Sequence, residues 1–133
     1  MLRSAVWLTV SEVAEQTGLS AHTLRYYERV GLLGPIARGG DGHRRYAEID
    51  LAWIAFLVRL RMTGMAIRDM QRFAALRREG QATVAARREL LEDHRDEVLE
   101  RIEALQGDLR AITEKITHYR KLESHHDHQP DEQ

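Results

Sequence analysis

From Thr83 to about Leu122 the chain has no proline and one glycine, Gly107. Within that stretch Val84, Leu91, Val98, Leu105, Ile112 and Tyr119 recur at intervals of seven. Ile102, Leu109 and Ile116 each follow a member of that series by four residues. Alternating steps of three and four are the seam of a coiled coil, best formed from Val98 onward. The corresponding earlier positions are Arg88 and Arg95, so the seam opens toward its start. A helix of about 39 residues is about 58 Å long at 1.5 Å per residue. No other segment of the chain is long enough to cover its apolar stripe. The stripe therefore implies a second copy, and the simplest closed arrangement is an antiparallel two-fold homodimer. Its contacts would be Leu91, Val98, Ile102, Leu105, Leu109, Ile112, Ile116 and Tyr119. Packing of the stripe on the chain's own N-terminal part is the alternative, and that part is too short to cover it.

The residues before this helix are punctuated differently. Thr9-Val10-Ser11-Glu12 has the spacing of a capping box, which starts a helix at Val10 that runs to about Gln16. Gly18 ends it, Ser20 caps a second helix over residues 21–30, and Gly31 stops that one. Two short helices joined by a brief glycine-containing turn form a helix-turn-helix. Residues 34–46, GPIARGGDGHRRY, hold four of the nine glycines and one of the two prolines. Asp41-Gly42 is a hairpin-turn signal, so this segment reads as a short two-stranded wing carrying Arg38, Arg44 and Arg45. A strongly apolar helix follows over residues 51–61, Gly64 breaks it, and another covers residues 67–78 up to Gly80. The expected fold is mainly α: a winged helix-turn-helix domain with accessory helices over residues 1–80, then a long antiparallel coiled-coil dimerisation helix over residues 81–122. A polar tail, expected to be disordered, fills residues 123–133.

Charge sharpens the division. The formal net charge is -1, but residues 1–80 carry a net of +4 and residues 81–133 a net of -5. Every basic side chain of the first part is arginine, the better partner for phosphate and guanine. A basic unit joined to an acidic one suits a protein that sets one end on nucleic acid. Viewed down the second helix, His22, Arg25, Tyr26 and Arg29 share an arc of about 100°. Leu24, Tyr27 and Val30 lie on the other side with Thr23, as a packing face toward Val13 and Leu19. Two guanidiniums and a phenol on the outer face, after a short turn, are what a major-groove reader needs. Arg38 and Arg44 of the wing would meet flanking phosphates. Tyr46 could contact a phosphate or anchor the wing.

Other chemistries find little support. Without cysteine there are no disulfides, thiolate metal sites, cysteine-held iron–sulfur clusters or thiol nucleophiles. No Ser/His/Asp set or phosphate loop stands out, so neither an enzyme nor a bound cofactor is expected. No apolar run approaches the roughly 20 residues of a membrane span, and MLRSAVWLTV lacks signal-peptide features; a cytoplasmic location is expected.

The order of the pieces, VSEVAEQTGLSAHTLRYYERVGLL, the GDGHRRY wing, LVRLRMTGMAIRDM and a long helix, resembles the MerR family of bacterial transcription regulators over residues 8–122. The segments REGQATVAARRELLEDHRDEV and ITEKITHYR are similar to the family's small-molecule and aldehyde-responsive branch. The resemblance implies a homodimer with two winged helix-turn-helix units on a pseudo-palindromic double-stranded promoter. It also implies distortion of the promoter spacer, so that RNA polymerase engages indirectly. It assigns Arg25 and Tyr26 to the recognition helix, and Arg44 and Tyr46 to the wing contacts. The chain also departs from the family pattern. Metal sensing and thiol sensing through cysteine are lost, Arg59 standing where thiol-bearing relatives carry cysteine. Two helix caps are alanines, Ala47 and Ala66, each costing about 1 kcal/mol relative to serine or threonine. Glu48 and Asp50 offset part of that through the helix dipole.

Any signal would then be read without covalent chemistry. Trp53, Leu57, Met62, Met65, Met70 and Phe73 read first as a plain hydrophobic core, with Arg59 paired to Glu92 or Asp96; the alternative is a small-molecule effector surface where the long helix of one chain meets the third and fourth helices of the other. Two further functions compete. His118, His125, His126 and His128 could bind nickel or zinc in a metal-responsive regulator, although no carboxylate array beyond Asp127 fixes a geometry, and no metal site is assigned. A coiled-coil adaptor without a DNA role would lack a steep salt dependence of DNA binding.

Overall fold

The computed structural model describes residues 7–34, 36 and 38–128, the last two of these by backbone alone. The fold is mainly α. Its elements in order are β1 (Trp7–Leu8), α1 (Val10–Thr17), α2 (Ala21–Arg29), β2 (Tyr46–Ala47), α3 (Glu48–Met62), α4 (Ile67–Glu79), a 3-10 turn (Gly80–Thr83) and α5 (Val84–His128).

The caps read from the sequence form. Thr9 Oγ1 accepts from the Glu12 amide at 3.2 Å, and the Thr9 amide donates to Glu12 Oε1 at 3.0 Å. The Thr9 backbone N–H, and after it the Thr9 hydroxyl, hold the Glu12 carboxyl below its ordinary pKa. Gly18 ends α1 in the left-handed region at φ 77°. Ser20 then accepts from the Thr23 amide at 3.1 Å and starts α2.

β1 was not foreseen. It pairs antiparallel with β2, Trp7 opposite Ala47 and Leu8 opposite Tyr46, and a two-residue strand has no periodicity to read. Among the described residues of the wing, an antiparallel bridge joins Arg38 to Arg44. α3 begins at Glu48 rather than at residue 51, because Asp50 Oδ2 accepts from the Ala47 amide at 2.9 Å and so supplies half a capping box. Ala66 holds the extended N-cap conformation, φ -67° and ψ 149°, without a capping side chain. Ala66→Ser is therefore expected to add about 1 kcal/mol of stability, read as a rise in melting temperature; an unchanged melting temperature would mean the α4 terminus is already satisfied.

The core joins both halves of the helix-turn-helix to α3 and α4. Val13, Leu24, Leu32, Tyr46, Ile54, Leu57 and Met70 are fully buried at its centre, each aliphatic side chain contributing about 1.5–3 kcal/mol. Trp53 stacks on Phe73 at 5.7 Å and 15°, and the Arg77 guanidinium lies 4.3 Å from the Trp53 ring centroid. The turn into α5 is tied by Thr83, whose hydroxyl donates to the Leu76 carbonyl at 2.5 Å. Arg87 braces the same turn, donating to Thr83 Oγ1 at 3.1 Å and to the Gly80 carbonyl at 3.0 Å.

Compact units divide between Glu92 and Asp93. Leu90 and Leu91 pack against the core of the first unit, so the Leu91 side chain continues the seven-residue series and is also partly covered within its own chain. The second unit is helical from Asp93 to His128. The expected disordered tail is thus helical from residue 123 to 128, with residues 129–133 outside the described part. Val98 is half-buried, whereas Ile102, Leu105, Leu109, Ile112, Ile116 and Tyr119 are exposed along this helix. Leu99 and Leu122 are exposed with them.

Candidate nucleic-acid interface

α2 separates its faces as its sequence requires. Leu24 and Tyr27 are buried, while His22, Arg25, Tyr26 and Arg29 are exposed. The Arg29 guanidinium sits 6.0 Å from the centroid of the Tyr26 ring, so these two side chains occupy one patch. Burial pushes the Tyr27 hydroxyl pKa up, in keeping with a core tyrosine.

Beside that face lies a cleft of about 470 Å³. Thr9, Val10 and Ser11 at the start of α1 form one wall, Arg25 of α2 a second, and the wing the third with Arg38, His43 and Arg44. An α-helix N-terminus and three guanidiniums make an anion-favouring surface. Asp41 is the one carboxylate on its rim among the described residues. That carboxylate is engaged in the turn, accepting from the His43 amide at 3.0 Å, a bond that lowers its pKa.

The wing is braced from within. The Gly42 amide donates to the Gly39 carbonyl at 2.9 Å and the Gly39 amide to the His43 carbonyl at 2.8 Å. Arg38 Nη1 donates to the Gly42 carbonyl at 3.1 Å. The Arg45 guanidinium lies over Gly39, where a Cβ would displace it.

Arg44 is held more firmly than its sequence position foretold. Its Nε donates to Glu28 Oε2 at 2.7 Å, and both side chains are largely covered, 24% and 21% exposed. The pair ties the wing to α2. Tyr46 takes the anchoring role of its two alternatives: the residue is fully buried, which corrects its placement among the phosphate contacts. Its hydroxyl has no hydrogen-bond partner among the described residues, and burial raises its pKa, with the Glu28 charge adding to the effect.

Sequence reasoning missed the α1 N-terminus as a wall of the cleft, although the capping box had already located it. It also missed Glu28, whose partner lies sixteen residues away. The candidate effector residues divide. Trp53, Leu57, Met65, Met70 and Phe73 belong to the core, the first of their two readings, whereas Met62 is 81% exposed and Arg59 is exposed. Among the described residues no three His, Cys, Asp or Glu side chains gather to hold a metal; the side chain of His128 lies outside them. No helix among them is long and apolar enough to cross a membrane.

Comparison with known proteins agrees with this geometry. Residues 8–76 match the MerR HTH family regulatory proteins, and residues 51–115 match the family described as MerR, DNA binding. The chain is 43% identical over 93 residues to the HTH-type transcriptional regulator AdhR of Bacillus subtilis, a match covering 70% of this chain and 66% of that protein. It superposes on a MerR family transcriptional regulator from Listeria monocytogenes with a TM-score of 0.80 and 42% identity, covering 84% of this chain and 85% of that one. It also superposes on HiNmlR, a MerR family regulator lacking the sensor domain, solved bound to promoter DNA; the TM-score is 0.79 and the identity 34%, over 90% of this chain and 94% of that one. A helix-turn-helix with its outer face free and two overlapping family signatures from residue 8 to residue 115 lead to one conclusion: the chain belongs to the MerR family of DNA-binding transcription regulators.

Proposed function

We propose that the protein acts as a homodimer on a pseudo-palindromic promoter, reading bases with α2 and gripping phosphates with the cleft beside it. The observation that carries this reading is the adjacency of the exposed Arg25–Tyr26–Arg29 face to a cleft edged by Arg38, Arg44 and the α1 N-terminus. Arg25, Tyr26 and Arg29, with His22 at the start of the helix, meet base edges in the major groove. Arg38 and Arg44 neutralise backbone phosphate and set the register of the protein on the duplex. Residues 1–80 are the reading unit and residues 81–122 the dimerising helix, with Val98, Ile102, Leu105, Leu109, Ile112, Ile116 and Tyr119 in the seam. The promoter-bound state of HiNmlR supports the choice of DNA. Distortion of the spacer, rather than contact with RNA polymerase, is the route to transcription, in line with the family. The protein works in the cytoplasm and performs no chemistry on its ligand. Any effector is bound non-covalently, at a surface that only the assembled dimer completes, with the exposed Arg59 a candidate for an anionic group.

The test is the salt dependence of binding to a duplex enriched by the protein from a random pool. Phosphate neutralisation gives a slope of log affinity on log salt of about -0.9 per contact. Arg44→Ala is expected to weaken enriched and random duplexes alike and to flatten that slope by about 1 per subunit. An unchanged slope would remove Arg44 from the phosphate contacts and leave it as the strut that holds the wing to Glu28.

A further inference from the structure

The chain leaves α2 through Val30, Gly31 and Leu32. Gly31 takes a φ of 84°, and the amides of Gly31 and Leu32 fold back onto the Glu28 and Tyr27 carbonyls at 3.2 and 2.9 Å. That turn carries three successive main-chain carbonyls past the end of the helical ladder. Each accepts from a side chain outside the helix-turn-helix. Gln71 Nε2 donates to the Val30 carbonyl at 2.8 Å. Arg78 Nη1 donates to the Gly31 carbonyl at 2.9 Å. Trp53 Nε1 donates to the Leu32 carbonyl at 2.8 Å. Gln71 and Arg78 stand seven residues apart on α4, close to two full turns, and so share one face.

We propose that Gln71 and Arg78 are positioning residues for DNA recognition: they fasten the exit of α2 to α4 and thereby set the angle at which Arg25, Tyr26 and Arg29 present themselves. This rests on the DNA reading proposed above. The carbonyl end of a helix carries partial negative charge, so a guanidinium there makes a charge-assisted bond. Base readout demands that the reading side chains hold their places to about 0.5 Å. α2 has only nine residues, so slack at its exit is felt along its whole reading face. Trp53 makes the third bond from the packed core, stacked on Phe73 of the same α4, and gives the clamp a fixed base.

Arg78 is exposed, so Arg78→Ala leaves the core filled and carries the test, with Gln71→Leu beside it. Affinities are measured for a duplex enriched by the wild-type protein from a random pool and for a random duplex, across a salt series. Each variant is expected to lose about tenfold in preference for the enriched duplex, the size of two modest hydrogen bonds to a carbonyl, one in each protomer, while the salt slope stays at its wild-type value. Arg78→Lys, which keeps a donor and the charge, is expected to recover most of that preference. A merely structural bond would lower thermal stability and leave the preference intact, and that result overturns the proposal. A slope flattened by about 1 per subunit also overturns it, because Arg78 would then touch phosphate itself. So does a lysine that recovers nothing. A wild-type protein that enriches no duplex overturns the DNA reading and the clamp with it. One that does, while Arg78→Ala and Gln71→Leu keep full preference, overturns the clamp alone.

Discussion

Leu105→Asp and Ile112→Asp are each expected to convert the protein from dimer to monomer at micromolar concentration, with helix content retained at low temperature. Leu105 is 67% exposed and Ile112 57% exposed in the single chain, so neither supports the fold of its own protomer. Their apolar area gains only from a partner, at about 25 cal/mol per Å² buried. A carboxylate placed in that apolar stripe must give up its water, and two-fold symmetry places it in the seam twice. The dissociation constant is expected to rise at least 100-fold, roughly 2.7 kcal/mol. Equilibrium sedimentation measures it directly. If either variant stays fully dimeric, the pairing face is not this one and lies elsewhere on α5. Leu91→Asp offers a contrast, because Leu91 packs partly against its own N-terminal core. That substitution is expected to lower the melting temperature of the protomer more than it weakens the dimer.

What was legible in the sequence was whatever local chemistry enforces. Thr9 with Glu12, Ser20, Gly18 and Gly31 each satisfy or terminate a specific backbone group, and the helices they bound followed from them. The seven-residue series exposed an apolar stripe for the same reason, that helical spacing alone decides which side chains share a face. The parts that were not legible depend on residues distant in sequence. β1 exists because Leu8 and Tyr46 meet across thirty-eight positions. Glu28 pairs with Arg44 only because the wing folds back over α2. Trp53 and its apolar neighbours carry the same helical pattern whether they line a pocket or fill a core, and only packing decides between the two. Tyr46 is the instructive case. A tyrosine beside two arginines has the composition of a phosphate grip, yet its place opposite Leu8 in the small sheet turns the ring inward.

Arg25→Ala is expected to abolish the preference for one DNA sequence while sparing weak binding to any. Arg25 is exposed on α2 and also edges the cleft against α1 and the wing, so its removal opens no cavity in the core and its cost should fall on DNA rather than on stability. A bidentate arginine on a guanine edge discriminates by about 1–3 kcal/mol. A dimer applies that twice on a two-fold site, and the two positions are far enough apart to add, giving about 2–6 kcal/mol on the enriched duplex. On random DNA the loss should be that of one charge near a phosphate, visible mainly as a slightly flatter salt slope. Arg25→Lys separates charge from geometry, because an ammonium keeps the charge and loses the planar fork. It is expected to restore binding to random DNA fully and the sequence preference only in part. Equal losses on both duplexes, with full recovery by lysine on both, would make Arg25 a phosphate contact of the cleft and leave base reading to Tyr26 and Arg29.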